Sequence, residues 1–175
     1  AISRQRKHLT TTAMVNIGFI YEYGNGVPLD YTEAMSWYRK AAQLGDAQAQ
    51  FNIALLYQEG KGVEQDQSEA IAWYRKAAEQ GHADAQNNLA TMYNDGHGVK
   101  QDHVEALGWF QKAAEQGLAV AQSNLAAMYA NGTGTKKNKT KAIQWYKKAA
   151  EQGHETAIEA LKNLTRKTKV KSPAA

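Results

Sequence analysis

The sequence predicts an all-α fold, a right-handed α/α solenoid of four 36-residue helix–turn–helix repeats closed by a further helix. Three registers carry that reading. Tryptophan falls at Trp37, Trp73, Trp109 and Trp145, always 36 residues apart. Tyr21, Tyr57, Tyr93 and Tyr129 keep the same spacing, as do Gly45, Gly81, Gly117 and Gly153. Self-similarity at one fixed period marks stacked supersecondary units rather than a single mixed core.

Each element follows from local chemistry. Residues 47–59 place Ala49, Ile53, Leu56 and Tyr57 on one face of a first helix. Gly60-Lys-Gly-Val then breaks it, because glycine reaches the left-handed backbone that ends helices. The pairs Gly24/Gly26, Gly96/Gly98 and Gly132/Gly134 repeat that break. Asp66 is placed to cap a second helix, with Glu69 three residues on to complete a capping box. Asp30 with Glu33 and Asp102 with Glu105 repeat the device. In the fourth unit Asn138 can still cap, but Lys141 replaces the acid, which predicts a weaker start. The second helix is expected to bury Ala70, Trp73, Ala77 and Ala78, with alanines allowing close approach and the Trp and Tyr rings filling the gaps.

The expected boundaries are a cap or linker at 1–10 and the repeat array at 11–166. The array divides into 11–46, 47–82, 83–118 and 119–154, with a capping helix at 155–166. In that helix Ala157, Ile158, Leu161 and Leu164 suit an inner face, with Lys162 and Arg166 toward water. A basic tail at 167–175 is expected to be disordered. The chain begins at Ala1 rather than methionine, which reads as a processed chain or an excised piece.

Composition excludes several classes of function. Without cysteine there is neither a disulfide framework nor a thiolate metal site. No apolar run approaches the roughly 20 residues a membrane-spanning helix needs. Ser3, Ser36, Ser68, Ser123 and Ser172 lack a Ser-x-x-Lys or Gly-x-Ser-x-Gly context. The Gly-x-Gly loops follow no strand and carry no Gly-Lys-Ser/Thr run, so they read as helix-ending turns. His97 and His103 share one loop with Asp95 and Asp102, but Asp102 is committed to capping. The expectation is therefore no enzyme, no metal and no cofactor.

Charge is divided along the chain. Residues 136–171 hold eleven Lys and Arg against three Glu, whereas 9–135 hold seven basic and fourteen acidic side chains. The run Lys136-Lys137-x-Lys139-x-Lys141 could meet an anionic polymer or membrane. No aromatic is interleaved with these lysines in sequence, and a solvated face without nucleic-acid binding is expected.

The string Ala-Trp-Tyr-Arg-Lys-Ala-Ala-Glu-Gln-Gly at 72–81, preceded by Gly-x-Gly-Val-x-x-Asp, resembles the Sel1-like repeat. That family is a relative of the tetratricopeptide repeat, and the resemblance spans residues 11 to about 153. It implies a bacterial scaffold, periplasmic or secreted, that binds a protein or an extended peptide along the concave face. The chain could also self-associate or form part of a longer array. If the tetratricopeptide arrangement applies, the helical residue just before each core Ile or Leu reaches the groove. That residue is Asn16, Asn52, Asn88 and Asn124. An amide offers one donor and one acceptor, matching the backbone of an extended peptide. Bonding to a neighbouring helix is the equally weighted alternative.

The flanking groove positions are Val15, Phe19, Phe51 and Leu55 in the first two repeats. In the next two they are Asn87, Thr91, Ser123 and Ala127. Phenylalanines there call for a cover, either a partner's apolar side chain or residues 1–10 folded inward. Some cysteine-rich relatives are β-lactam-binding or β-lactamase proteins, but this chain lacks their cysteine pairs.

Overall fold

The computed structural model describes residues 9–169, with side chains as far as 166. The described residues form nine α-helices and no strand. They are α1 (Thr11–Tyr23), α2 (Tyr31–Gln43), α3 (Ala47–Glu59), α4 (Gln67–Glu79), α5 (Ala83–Asp95), α6 (His103–Glu115), α7 (Ala119–Asn131), α8 (Lys139–Glu151) and α9 (Glu155–Lys169). The closing helix thus runs three residues beyond the expected 166. Residues 1–8 and 170–175, holding most of the expected N-terminal cap and C-terminal tail, lie outside the described residues.

The caps explain the boundaries. Asp30 Oδ1 accepts from the backbone N–H of Thr32 and Glu33, and Asp66 and Asp102 repeat both bonds at α4 and α6. Asn138 accepts from Lys141 N alone, at 3.0 Å. The reciprocal half of the capping box takes another form. The cap residue's own N–H donates to a first-helix carbonyl, Asp30 to Tyr21 and Asn138 to Tyr129. The glutamates are thereby released: Glu33 accepts the indole N–H of Trp37 at 3.0 Å, and Glu105 that of Trp109 at 2.9 Å.

The described residues fall into two compact units, which divide between His82 and Ala83. In the first unit Ala34, Met35, Tyr38, Ala41, Ala49, Ile53 and Leu56 form the core, each at most 4% exposed. In the second, Ala85, Leu89, Ala106, Ala113, Ala121 and Leu125 are wholly buried. One expectation needs correcting. The fully buried ring is not the tryptophan but its neighbour, Tyr38 and Tyr74 at 0% and Phe110 at 3%. Trp37, Trp73 and Trp145 are half-buried, and only Trp109 is buried. A residue one step along a helix points about 100° away. The tryptophan therefore lies at the edge of the buried stripe, its outer side covered by a lysine three residues on. Those ammonium-to-ring distances are 3.9 Å for Lys40, Lys76 and Lys112 and 4.3 Å for Lys148.

Amide clasps tie the two helices of a repeat. Gln80 donates to the buried Gln50, Gln116 to Gln86 and Gln152 to Gln122, at 2.8, 2.8 and 2.9 Å. In the first repeat the corresponding positions are Met14 and Leu44.

Candidate functional site

The first helices α1 and α3 carry the candidate residues of the N-terminal unit. Val15, 5% exposed, belongs to the core cluster, and Asn16 is exposed. Phe19 is half-buried, edge-on to Tyr38 and stacked with Tyr23. Phe51 stacks on the His82 ring with centroids 4.7 Å apart and planes 19° apart, and it also touches Tyr74. Leu55 is half-buried. The unit's own aromatic rings thus cover part of each phenylalanine. Of the residues 1–10 expected as a cover, Leu9 and Thr10 are exposed, and 1–8 lie outside the described residues.

Asn52 turns inward. It is 4% exposed, and its Oδ1 accepts from Gln48 Nε2 at 2.9 Å. His82 holds the other end of Gln48 at 3.1 Å. The Asn52 Nδ2 is buried beside the Tyr38 hydroxyl. That hydroxyl donates to Glu22, and burial first, then the bond to Glu22, pushes the Tyr38 phenol far above its ordinary range.

In the C-terminal unit the same register faces outward. Asn88 and Asn124 are half-exposed and joined through Asn87: Asn124 Nδ2 donates to Asn87 Oδ1 at 3.2 Å, and Asn87 Nδ2 to Asn88 Oδ1 at 3.4 Å. Ser123 is buried. Thr91, Asn124 and Ala127 come together with Asn94, His103 and Phe110 in an open, mainly polar cleft of about 550 Å³ between α5 and α7.

Sequence reasoning missed this cleft, yet its cause is written in one register. In the first two repeats the second-helix phenol reaches back to the paired first helix: Tyr38 to Glu22, and Tyr74 to Gln58 Oε1 at 2.5 Å. The third repeat has Phe110 there, with no hydroxyl. Asn94, at the position of Glu22 and Gln58, instead meets His103 Nδ1 at 3.1 Å and donates to Asp95 at 2.8 Å. Its amide is left at the cleft wall. The departure from Tyr at position 110 was the available signal. In the fourth repeat the partner is Ala130, and burial alone raises the Tyr146 phenol.

Among the described residues no group of three or more His, Asp and Glu is placed to hold a metal ion. No described helix is long and apolar enough to cross a membrane.

The Sel1 repeat family model matches residues 11–46, 47–82, 83–118 and 119–154. A Sel1 repeat protein from Oxalobacter formigenes is 40% identical with a TM-score of 0.82, over 86% of this chain and 62% of its own. The protein c5321, a protective antigen of uropathogenic Escherichia coli strains displaying an SLR fold, is 42% identical with a TM-score of 0.85. That match covers 88% of this chain and 33% of the antigen, so the chain spans less than two thirds of either protein. The cysteine rich protein B of Helicobacter pylori shares the fold at 24% identity and a TM-score of 0.61, over 79% of this chain and 99% of its own. Comparison with curated proteins gives no match.

Proposed function

From the premise that this chain belongs to the Sel1 repeat family, an all-α solenoid that generally serves as a protein-interaction scaffold, we propose that it binds an extended peptide segment of a partner protein along its first helices. The observation that carries the reading is the α5–α7 cleft, where Asn124 and Thr91 reach solvent side by side. An extended peptide presents alternating N–H and C=O groups, and a half-exposed amide can meet both. Asn16, Asn88 and Asn124 are accessible for that role. Asn52 takes a supporting one, holding Gln48 and through it His82 beneath Phe51. In the N-terminal unit Phe19, Phe51 and Leu55 offer an apolar contact, with Val15 behind them in the core.

The test uses peptides selected on the chain from a displayed random library, followed by calorimetric titration. Replacing Asn88 and Asn124 together by alanine should weaken the selected peptides by about 1–3 kcal/mol, the loss when bound peptide groups go unpaired. Melting should shift by less than about 1 kcal/mol, because alanine is the better helix former. Unchanged affinity with a large fall in melting temperature would make the amides scaffold and send the search for the partner surface elsewhere.

A further inference from the structure

The fourth repeat departs from the other three at one position with a double consequence. In repeats one to three the third residue of the second helix is Glu33, Glu69 or Glu105, and in the fourth it is Lys141. Glu33 and Glu105 accept the indole N–H of the tryptophan one turn on. Glu69 is in place without that bond, and the Trp145 indole N–H donates to no group among the described residues. The exchange of Glu for Lys therefore removes the carboxylate that accepts an indole N–H in two other repeats and puts a cationic side chain at that position.

The surroundings amplify the change. Gln111, Tyr129, Lys141, Trp145, Lys147 and Lys148 line an open cleft of about 640 Å³ formed by α6, α7 and α8. The Lys141 ammonium stands 5.0 Å from the Tyr129 ring centre and that of Lys148 4.3 Å from the Trp145 ring centre. Three lysines meet a single acid, Glu151. One ring absent from the lysine run in sequence, Tyr129, is thus brought beneath Lys141 in space. A lysine in the first turn of a helix also opposes the helix dipole, and a bound anion there would relieve it.

We propose that this cleft, separate from the first-helix face, docks an acidic segment of a partner protein. A partner's Asp or Glu carboxylate occupies the place that Glu33 and Glu105 fill in their own repeats. It accepts from Trp145 Nε1 and from Lys141, with Lys147 and Lys148 receiving neighbouring acids. The partner is assigned as a carboxylate peptide because the fold itself holds a carboxylate against this indole in two other repeats.

The experiment titrates the full chain with a fluorescent oligo-glutamate peptide at physiological salt, with oligo-glutamine, oligo-thymidylate and phosphatidylglycerol vesicles as comparison probes. Oligo-glutamate should bind and oligo-glutamine should not. Lys141→Glu, which restores the residue of the other repeats and so keeps the helix start, should weaken binding by about tenfold or more as charge attraction becomes repulsion. Trp145→Phe, keeping the ring and losing the donor, should weaken it by about threefold, and Lys141→Arg should retain it. Lys136→Glu makes the same charge change outside the cleft lining and should have a much smaller effect. Equal losses from Lys136→Glu and Lys141→Glu would reduce the effect to net charge and overturn the proposal. Tighter, Lys141-dependent binding of the oligonucleotide or the vesicles would overturn the peptide assignment. Because Asn88 and Asn124 lie outside this cleft, their replacement should leave oligo-glutamate binding unchanged, which separates the two surfaces.

Discussion

At the scale of single residues the deciding contrast is between neighbours, Trp73 and Tyr74. A large aromatic ring recurs every 36 residues at both positions, so each is a candidate for the core. Tyr74 is fully buried and donates to Gln58, whereas Trp73 lies at the edge of the buried stripe with Lys76 over its face. Tyr74→Ala should therefore cost roughly 3–5 kcal/mol in urea denaturation, the loss for a fully enclosed aromatic side chain. Trp73→Ala should cost clearly less, about 1–3 kcal/mol, because part of its ring already meets water and the lysine stem. An equal loss at the two positions would mean that the tryptophan is core after all. Periodicity identified the stripe but not which of two adjacent rings points inward, since a shared period says nothing about phase. The Gln50–Gln80 clasp was hidden for a different reason: its partners stand 30 residues apart in sequence, and only the folded repeat brings them together.

At the scale of helices and turns, sequence reasoning goes further because caps and breaks are local. Asp30, Asp66, Asp102 and Asn138 start their helices, and the Gly-x-Gly turns end the preceding ones. What the sequence does not reveal is that the second glycine of a turn can have a packing duty. Gly134 has φ +67°, and a Cβ there would stand 2.2 Å from the carbonyl oxygen of His103 in the preceding repeat. Gly26 has φ +81° but nothing within 4 Å among the described residues. Gly26→Ala should then cost only the left-handed backbone penalty, about 1–2 kcal/mol. Gly134→Ala should cost more than that, since a rigid backbone oxygen must also move, and chemical denaturation of the two variants would measure the difference. Equal costs would mean that the turn can shift freely away from His103.

At the scale of the whole molecule, the repeat register fixes the number and order of helices before any contact is known. The face that meets a partner was only half legible. The asparagine ladder is uniform in sequence, yet Asn52 is buried while Asn88 and Asn124 look outward. Burial of each amide depends on its neighbours: Gln48 and Tyr38 enclose Asn52, whereas Asn87 merely links the other two. The closing helix was more legible because its stripe is simple. Ala157 is fully buried, Ile158, Leu161 and Leu164 are half-buried, and Lys162 and Arg166 are exposed. Stability in a repeat array is a sum of repeat and nearest-neighbour terms, so a cap should act locally. Ending the chain after His154 removes α9 and uncovers the part of α8 against which it rests. The loss should be about 2–3 kcal/mol, comparable with exposing one or two large apolar side chains. Native-state hydrogen exchange should register it in α8 and more weakly in α7. Protection of α1 and α2 should stay within about 0.5 kcal/mol, as expected for sites that share no partners. A uniform drop across all helices would instead make the array one cooperative block, in which no repeat can loosen alone to admit a partner.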